Sequence, residues 1–123
     1  MKIMSRPIFK TVVKEIGKDA KDFEAVNMLI FFGDEAPSAL RDSCFIIDIN
    51  DLERDIQAGM ILKIGNSNYK ITAVGNEVNT NLKNLGHIAV KFTGEEKAEL
   101  PGSLYVQVKE FPCIEVGTKV EIF

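Results

Sequence analysis

The chain has 123 residues, 46% of them hydrophobic and 27% charged, which is the mix of a single globular domain spanning 1–123. That arithmetic excludes disordered, collagen-like and disulfide-scaffold classes. Fifteen Lys plus Arg against eighteen Asp plus Glu give −3, which argues against nonspecific binding to nucleic acid or to an anionic membrane.

The opening Met1-Lys2-Ile3-Met4-Ser5-Arg6-Pro7 lacks the apolar core of a secretion signal. No stretch approaches the roughly 20 apolar residues of a membrane-spanning helix. The longest tight apolar run, Met28 to Phe32, is strand-sized. A cytoplasmic protein without membrane insertion is expected. Cys44 and Cys113 are far apart, with no Cys-x-x-Cys spacing, and read as two buried reduced thiols.

Glycines punctuate the chain, with short β-branched or aromatic runs between them, so a β-rich domain is expected. Strands are predicted near Ile8–Ile16, Asn27–Phe32, Ser43–Ile49, Met60–Ile64, Tyr69–Val74, His87–Phe92, Ser103–Val108 and Thr118–Ile122. Gly65-Asn66-Ser67-Asn68 reads as a hairpin loop. Ala36–Arg41 is predicted helical, with Pro37 near its start. Val78, Leu82 and Leu85 fall at helical spacing between Asn76 and Gly86, residues suited to the two caps. Asn50–Ile56 is a third, short helix by the same logic, capped by Asn50. No internal repeat is visible.

Charge clusters between Asp34 and Asp55, where seven acids face Arg41 and Arg54 alone. The cluster is either a solvated face or a docking surface for a basic partner, with Phe45, Ile46, Ile47 and Ile49 as apolar anchors beside it. Generic catalytic signatures are missing: there is no P-loop, no Gly-x-Ser-x-Gly elbow and no dinucleotide fingerprint. The single histidine, His87, excludes any mechanism or metal site that needs two in one chain, and no cofactor or metal is called for. An oligonucleotide-binding barrel would need a basic groove with stacking aromatics; this chain is acidic and has no Trp.

The stretch Ile71-Thr72-Ala73-Val74-Gly75, followed by Asn81-Leu82-Lys83-Asn84-Leu85-Gly86-His87-Ile88-Ala89-Val90-Lys91-Phe92 and by Ala98-Glu99-Leu100-Pro101-Gly102-Ser103-Leu104-Tyr105-Val106, resembles the enzyme IIA component of glucitol/sorbitol-type phosphotransferase systems. Glu35-Ala36-Pro37-Ser38-Ala39-Leu40 and Cys44-Phe45-Ile46 are similar too. The resemblance implies an all-β fold, a small closed seven-stranded barrel with one or two short helices. It also implies a phosphoryl relay: a histidine accepts the group from the phosphohistidine carrier and passes it to a cysteine of the IIB component, so the phosphocarrier and the IIB/IIC permease components are the implied partners. The oligomeric state stays open.

The family's acceptor follows the Cys-Phe-Ile stretch at position 47, where this chain has Ile47, which cannot carry phosphate. His87 is the alternative acceptor, or else a structural histidine. Strand alternation puts it with Ala89 and Lys91, opposite Ile88, Val90 and Phe92, and Lys91 is placed to help hold a phosphoryl group. Its position after a helix C-terminus is expected to raise its pKa. Asp48, a formal acyl-phosphate candidate, points away from the face of Ile47. Cys44 reads as a small buried hydrophobe. Phe45, Ile47 and Ile49 share a face that is either barrel core or, with Asp48, a partner-docking patch. A chain without the acceptor has a second reading: a non-phosphorylatable interaction or regulatory module.

Overall fold

The computed structural model of the protein describes residues 6–123; the first five residues of the opening stretch read above for a secretion signal lie outside them. Eight strands close into a barrel. They are β1 (Phe9–Ile16), β2 (Met28–Gly33), β3 (Phe45–Ile47), β4 (Ile61–Ile64), β5 (Ser67–Val74), β6 (Ile88–Lys91), β7 (Ser103–Val106) and β8 (Lys119–Ile122). Two helices, α1 (Ser38–Arg41) and α2 (Val78–Leu85), and a 3-10 helix (Ala20–Val26) join them. The fold class is as expected, but the barrel has eight strands rather than seven. No helix among the described residues is long and apolar enough to cross a membrane.

The strand order around the barrel is β1-β3-β2-β6-β7-β5-β4-β8. Advancing every label by four leaves this circle unchanged. The registers repeat as well. β3 inserts between β1 and β2, antiparallel to the first and parallel to the second, and β7 inserts in the same way between β5 and β6. Val13 faces Ile47 and Ile71 faces Val106, each pair just before a bulge. Phe31 faces Phe45 as Val90 faces Leu104. The molecule is therefore two four-strand halves related by a topological two-fold. The sequence hides it, because among these paired positions and the residues that close β1 and β5 only Gly17 and Gly75 are identical.

Those two glycines are where each crossover passes over the end of a strand. Gly17 donates to the Cys44 carbonyl at 2.9 Å and Gly75 to the Ser103 carbonyl at 2.9 Å. A Cβ on Gly17 would lie 2.3 Å from the Asp42 carbonyl oxygen, and one on Gly75 would lie 2.3 Å from that of Pro101. Both contacts are with backbone, which has little room to yield. No other residue fits at either site.

The inner faces supply one continuous core, including Phe9, Phe31, Phe45, Ile47, Leu62, Tyr69, Ile88, Val90, Leu104 and Val120. A smaller cluster lies on the outer face of β2 and β3, where α1 and its flanks cover Phe32, Cys44 and Ile46 together with Ala36. The second crossover does the same for Tyr105, whose hydroxyl accepts a hydrogen bond from the Leu100 N–H at 3.0 Å. β3 and β7 are thus buried on both faces, as parallel-paired strands are when a connection covers them.

Several elements depart from expectation for identifiable reasons. The predicted strand Ser43–Ile49 shrinks to Phe45–Ile47 because Thr11 takes over the Asp48 backbone: its hydroxyl donates to the Asp48 carbonyl at 2.9 Å and accepts from the Asp48 N–H at 3.0 Å. Asn50–Ile56 is not a helix. Its donors are taken by other elements, with the Asn50 amide on the Lys10 carbonyl, the Glu53 N–H on the Ile8 carbonyl and the Ile56 N–H on the Asn79 side chain. The hairpin turn is only Gly65-Asn66, since Ile64 already pairs with Ser67. Cys44 is buried, its thiol donating to the Leu40 carbonyl at 3.1 Å, but Cys113 is exposed, which corrects the reading of two buried thiols.

Gly75→Ala is expected to destabilise the protein by about 2 kcal/mol or more, since a methyl forced into a packed backbone contact is a form of overpacking. Gly17→Ala should behave in the same way, both being read as a lowered urea midpoint with an unchanged slope.

Candidate functional site

α2 carries Val78 and Leu82 into the core and ends at Gly86, whose φ of 68° is the left-handed conformation that stops a helix. The Gly86 N–H donates to the Leu82 carbonyl at 3.0 Å and the His87 N–H to that of Asn81 at 3.2 Å, so the backbone of His87 is tied to the helix. Glycine is needed at this junction for a second reason. A Cβ on Gly86 would lie 2.9 Å from the Gly33 nitrogen, and one on Gly33 would lie 2.5 Å from the Leu85 carbonyl oxygen. The turn after α2 is pressed directly onto the end of β2.

That contact sets the position of the imidazole. Phe31 pairs with Ile88 in the antiparallel β2–β6 ladder, so the register continues to Phe32 and His87. Their rings stack with centroids 4.3 Å apart and planes inclined by 15°. Aromatic pairs of this kind contribute about 0.5–1.5 kcal/mol beyond the area they bury. Phe32 belongs to the outer cluster, so His87 lies on the outer face of the barrel, as the alternation with Ile88, Val90 and Phe92 predicts.

His87 is half-buried, and burial holds its pKa below the ordinary 6.5. This reverses the expectation of a raised value at a helix C-terminus: desolvation outweighs whatever the helix end supplies. Among the described residues no hydrogen bond reaches either ring nitrogen, and none of the buried side-chain nitrogens lacks a partner. The result is an imidazole that favours its neutral form, tied at its backbone and stacked on one face, with no hydrogen-bond partner on its ring nitrogens among the described residues.

Of the other predicted site residues, Ile49 joins this rim. Its side chain reaches both glycines, lying 2.7 Å from the Cβ position of Gly33 and 3.3 Å from that of Gly86. It is 43% exposed beside Leu85 at 46%. Ile47 does not present itself to a partner; it is 1% exposed and packs in the barrel interior, as its counterpart Val106 does in the other half. Phe45 is equally buried and so cannot form part of a docking patch. Asp48 points outward and pairs with Lys14 at 3.4 Å. Lys91 is four residues beyond His87 along β6, roughly 13 Å at strand rise, too far to hold a phosphoryl group on the imidazole.

The acidic segment is partly balanced on the spot. Arg41, Lys18, Lys14 and Arg6 lie 3.0, 3.9, 3.4 and 2.8 Å from Asp34, Asp42, Asp48 and Glu53. Arg41 also meets Glu15 at 2.9 Å, and its hydrogen bonds hold that carboxyl below the usual carboxylate range. Exposed pairs such as these add little stability, but they reduce the local excess of charge that a basic partner would recognise. Three of the cations come from outside the segment, which is why its composition alone overstated the charge.

The comparisons with known proteins agree with this architecture. The family described as PTS system glucitol/sorbitol-specific IIA component matches residues 8–121. This chain belongs to that family. Curated glucitol/sorbitol-specific EIIA components of Shigella flexneri and Escherichia coli K12 are each 36% identical over 99 residues, 80% of this chain and 80% of theirs. A crystal structure of a PTS system IIA component from Enterococcus faecalis V583 superposes with a TM-score of 0.80 at 30% identity, covering 91% of this chain and 97% of the other. The single imidazole of this chain lies at the β2–β6 rim, and position 47 is isoleucine.

The unfolded chain binds a proton on His87 more readily than the folded one does, so this residue's contribution to stability is complete above about pH 6.5 and declines as pH falls below it. The single C2–H resonance of the histidine is expected to titrate with a midpoint below 6.5, and His87→Asn should remove that part of the pH dependence of unfolding.

Proposed function

We propose that this chain is a phosphoryl relay of glucitol/sorbitol-type sugar uptake, working in the cytoplasm between the phosphohistidine carrier and the IIB/IIC permease components, with His87 as its acceptor. The observation that carries this reading is the state of the only imidazole in the chain: neutral by burial, fixed by α2 and Phe32, and free at its ring nitrogens. A neutral ring is the nucleophilic form. In the transfer, the P–N bond to the carrier's imidazole breaks as one forms to a His87 ring nitrogen, and the departing nitrogen keeps the bonding electron pair. Little covalent chemistry is asked of the protein beyond positioning. Ile49 and Leu85 give the carrier an apolar rim to sit on beside the ring.

A second reading, the interaction module without transfer, draws on the burial of Ile47. The two separate in one experiment. The protein is incubated with phosphoenolpyruvate, the general phosphotransferase enzyme and the carrier, and its intact mass is recorded. One phosphoryl adduct is expected, stable to base and labile to acid, and absent in His87→Ala. No adduct on the wild-type protein, together with a complex between it and the carrier, would establish the module instead.

A further inference from the structure

The outer cluster under α1 has a feature that packing alone does not require. Phe32 is 7% exposed and completes a small group with Ala36, Cys44 and Ile46. An aliphatic side chain would fill that role, as Ile46 does in the neighbouring strand. What an aliphatic residue would not supply is a flat surface parallel to the imidazole at 4.3 Å. The backbone on either side of this stack is fixed independently: Gly33 lies against the Leu85 carbonyl and the Gly86 position, and the His87 N–H is held by Asn81. The remaining freedom of His87 lies in its side-chain torsions, and the stacked Phe32 ring restricts them to orientations that keep the two planes nearly parallel. No described side chain hydrogen-bonds the imidazole to fix its plane, so the stack is the orienting contact.

We propose that Phe32 is a positioning residue: its ring sets the plane of the His87 imidazole so that one ring nitrogen points outward to the incoming phosphoryl donor. The proposal rests on His87 as the acceptor. Orienting a nucleophile before encounter converts lost side-chain freedom into rate, because the attacking lone pair must align with the breaking P–N bond. Phe32 touches neither the donor nor the phosphorus and acts through His87 alone.

The test uses the full-length protein with Phe32→Leu, Phe32→Tyr and Ile46→Val. The single histidine gives one unambiguous set of imidazole resonances. In the wild type the Phe32 ring current shifts them upfield. Phe32→Leu is expected to move them downfield and to slow phosphoryl transfer from the carrier about tenfold, while Phe32→Tyr keeps both near wild type. Ile46→Val trims the same cluster at the cross-strand partner of Phe32 while leaving the stacked aromatic face in place, and should change neither. Wild-type phosphorylation with an unaltered rate in Phe32→Leu overturns the positioning role and leaves the relay standing. An equal slowing in Ile46→Val also overturns it, since loosened packing would then suffice. A wild-type protein that takes no phosphoryl group brings down the relay and the positioning role together, even where Phe32→Leu still moves the resonances.

Discussion

The whole architecture depends on two places where backbone lies on backbone. At Gly17 and at Gly75 a crossover runs across the end of a strand so closely that a single methyl group would collide with its carbonyls. Each crossover is what allows a strand to enter between two that precede it in sequence, antiparallel to one and parallel to the other. Without that approach β3 and β7 could not reach their slots, and the sheet could not close. Closure removes the open edges that would otherwise invite pairing with other chains. Burial of both faces of β3 and β7 follows from the same geometry, because the segment that crosses over also becomes the lid on the outward side of the strand it delivers.

The internal two-fold extends this constraint to the rest of the molecule. Register, bulge position and inward-facing burial repeat between the halves, while side-chain identity does not. Val13 and Ile71, Ile47 and Val106, Phe45 and Leu104 are interchangeable as apolar volume. Glycine at 17 and 75 is not interchangeable with anything. A topology of this kind asks for an apolar residue at alternate positions and for a missing side chain at one position per half, so resemblance between the halves survives only where the demand is absolute.

This explains what could be read in the sequence and what could not. Strand periodicity, the spacing of Val78 and Leu82 and the stop at Gly86 are local signals, and they located most of the barrel and α2 correctly. The 3-10 helix Ala20–Val26 buries only Ala20, so it left no apolar period to find. Asn50–Ile56 had a helix-like start, but its backbone donors are claimed by Lys10, Ile8 and Asn79, partners distant in sequence. The same limit applies at the site. His87 stood out by being alone, and its outward direction followed from alternation. Its stacking partner is 55 residues away in the chain, and the burial that lowers its pKa is a product of the folded packing. Only the fold brings these together.

The same physics decides where on this barrel a phosphoryl group can be carried. The interior around Ile47, Phe9, Phe31 and Leu82 leaves a residual cavity of only about 10 Å³, at the lower limit for a single water, with an entirely apolar lining that offers a water no partners. A phosphoryl group carries close to two negative charges, and burying them there without compensation would cost far more than the fold's total margin of stability. An acceptor whose side chain followed the path of Ile47 would have to turn out of the core to work. On the relay proposed above, His87 is the imidazole that would meet this requirement without any rearrangement. It stands on the outer face, partly exposed, where an arriving charged group can be hydrated, and its partial burial lowers its pKa and so favours the neutral ring.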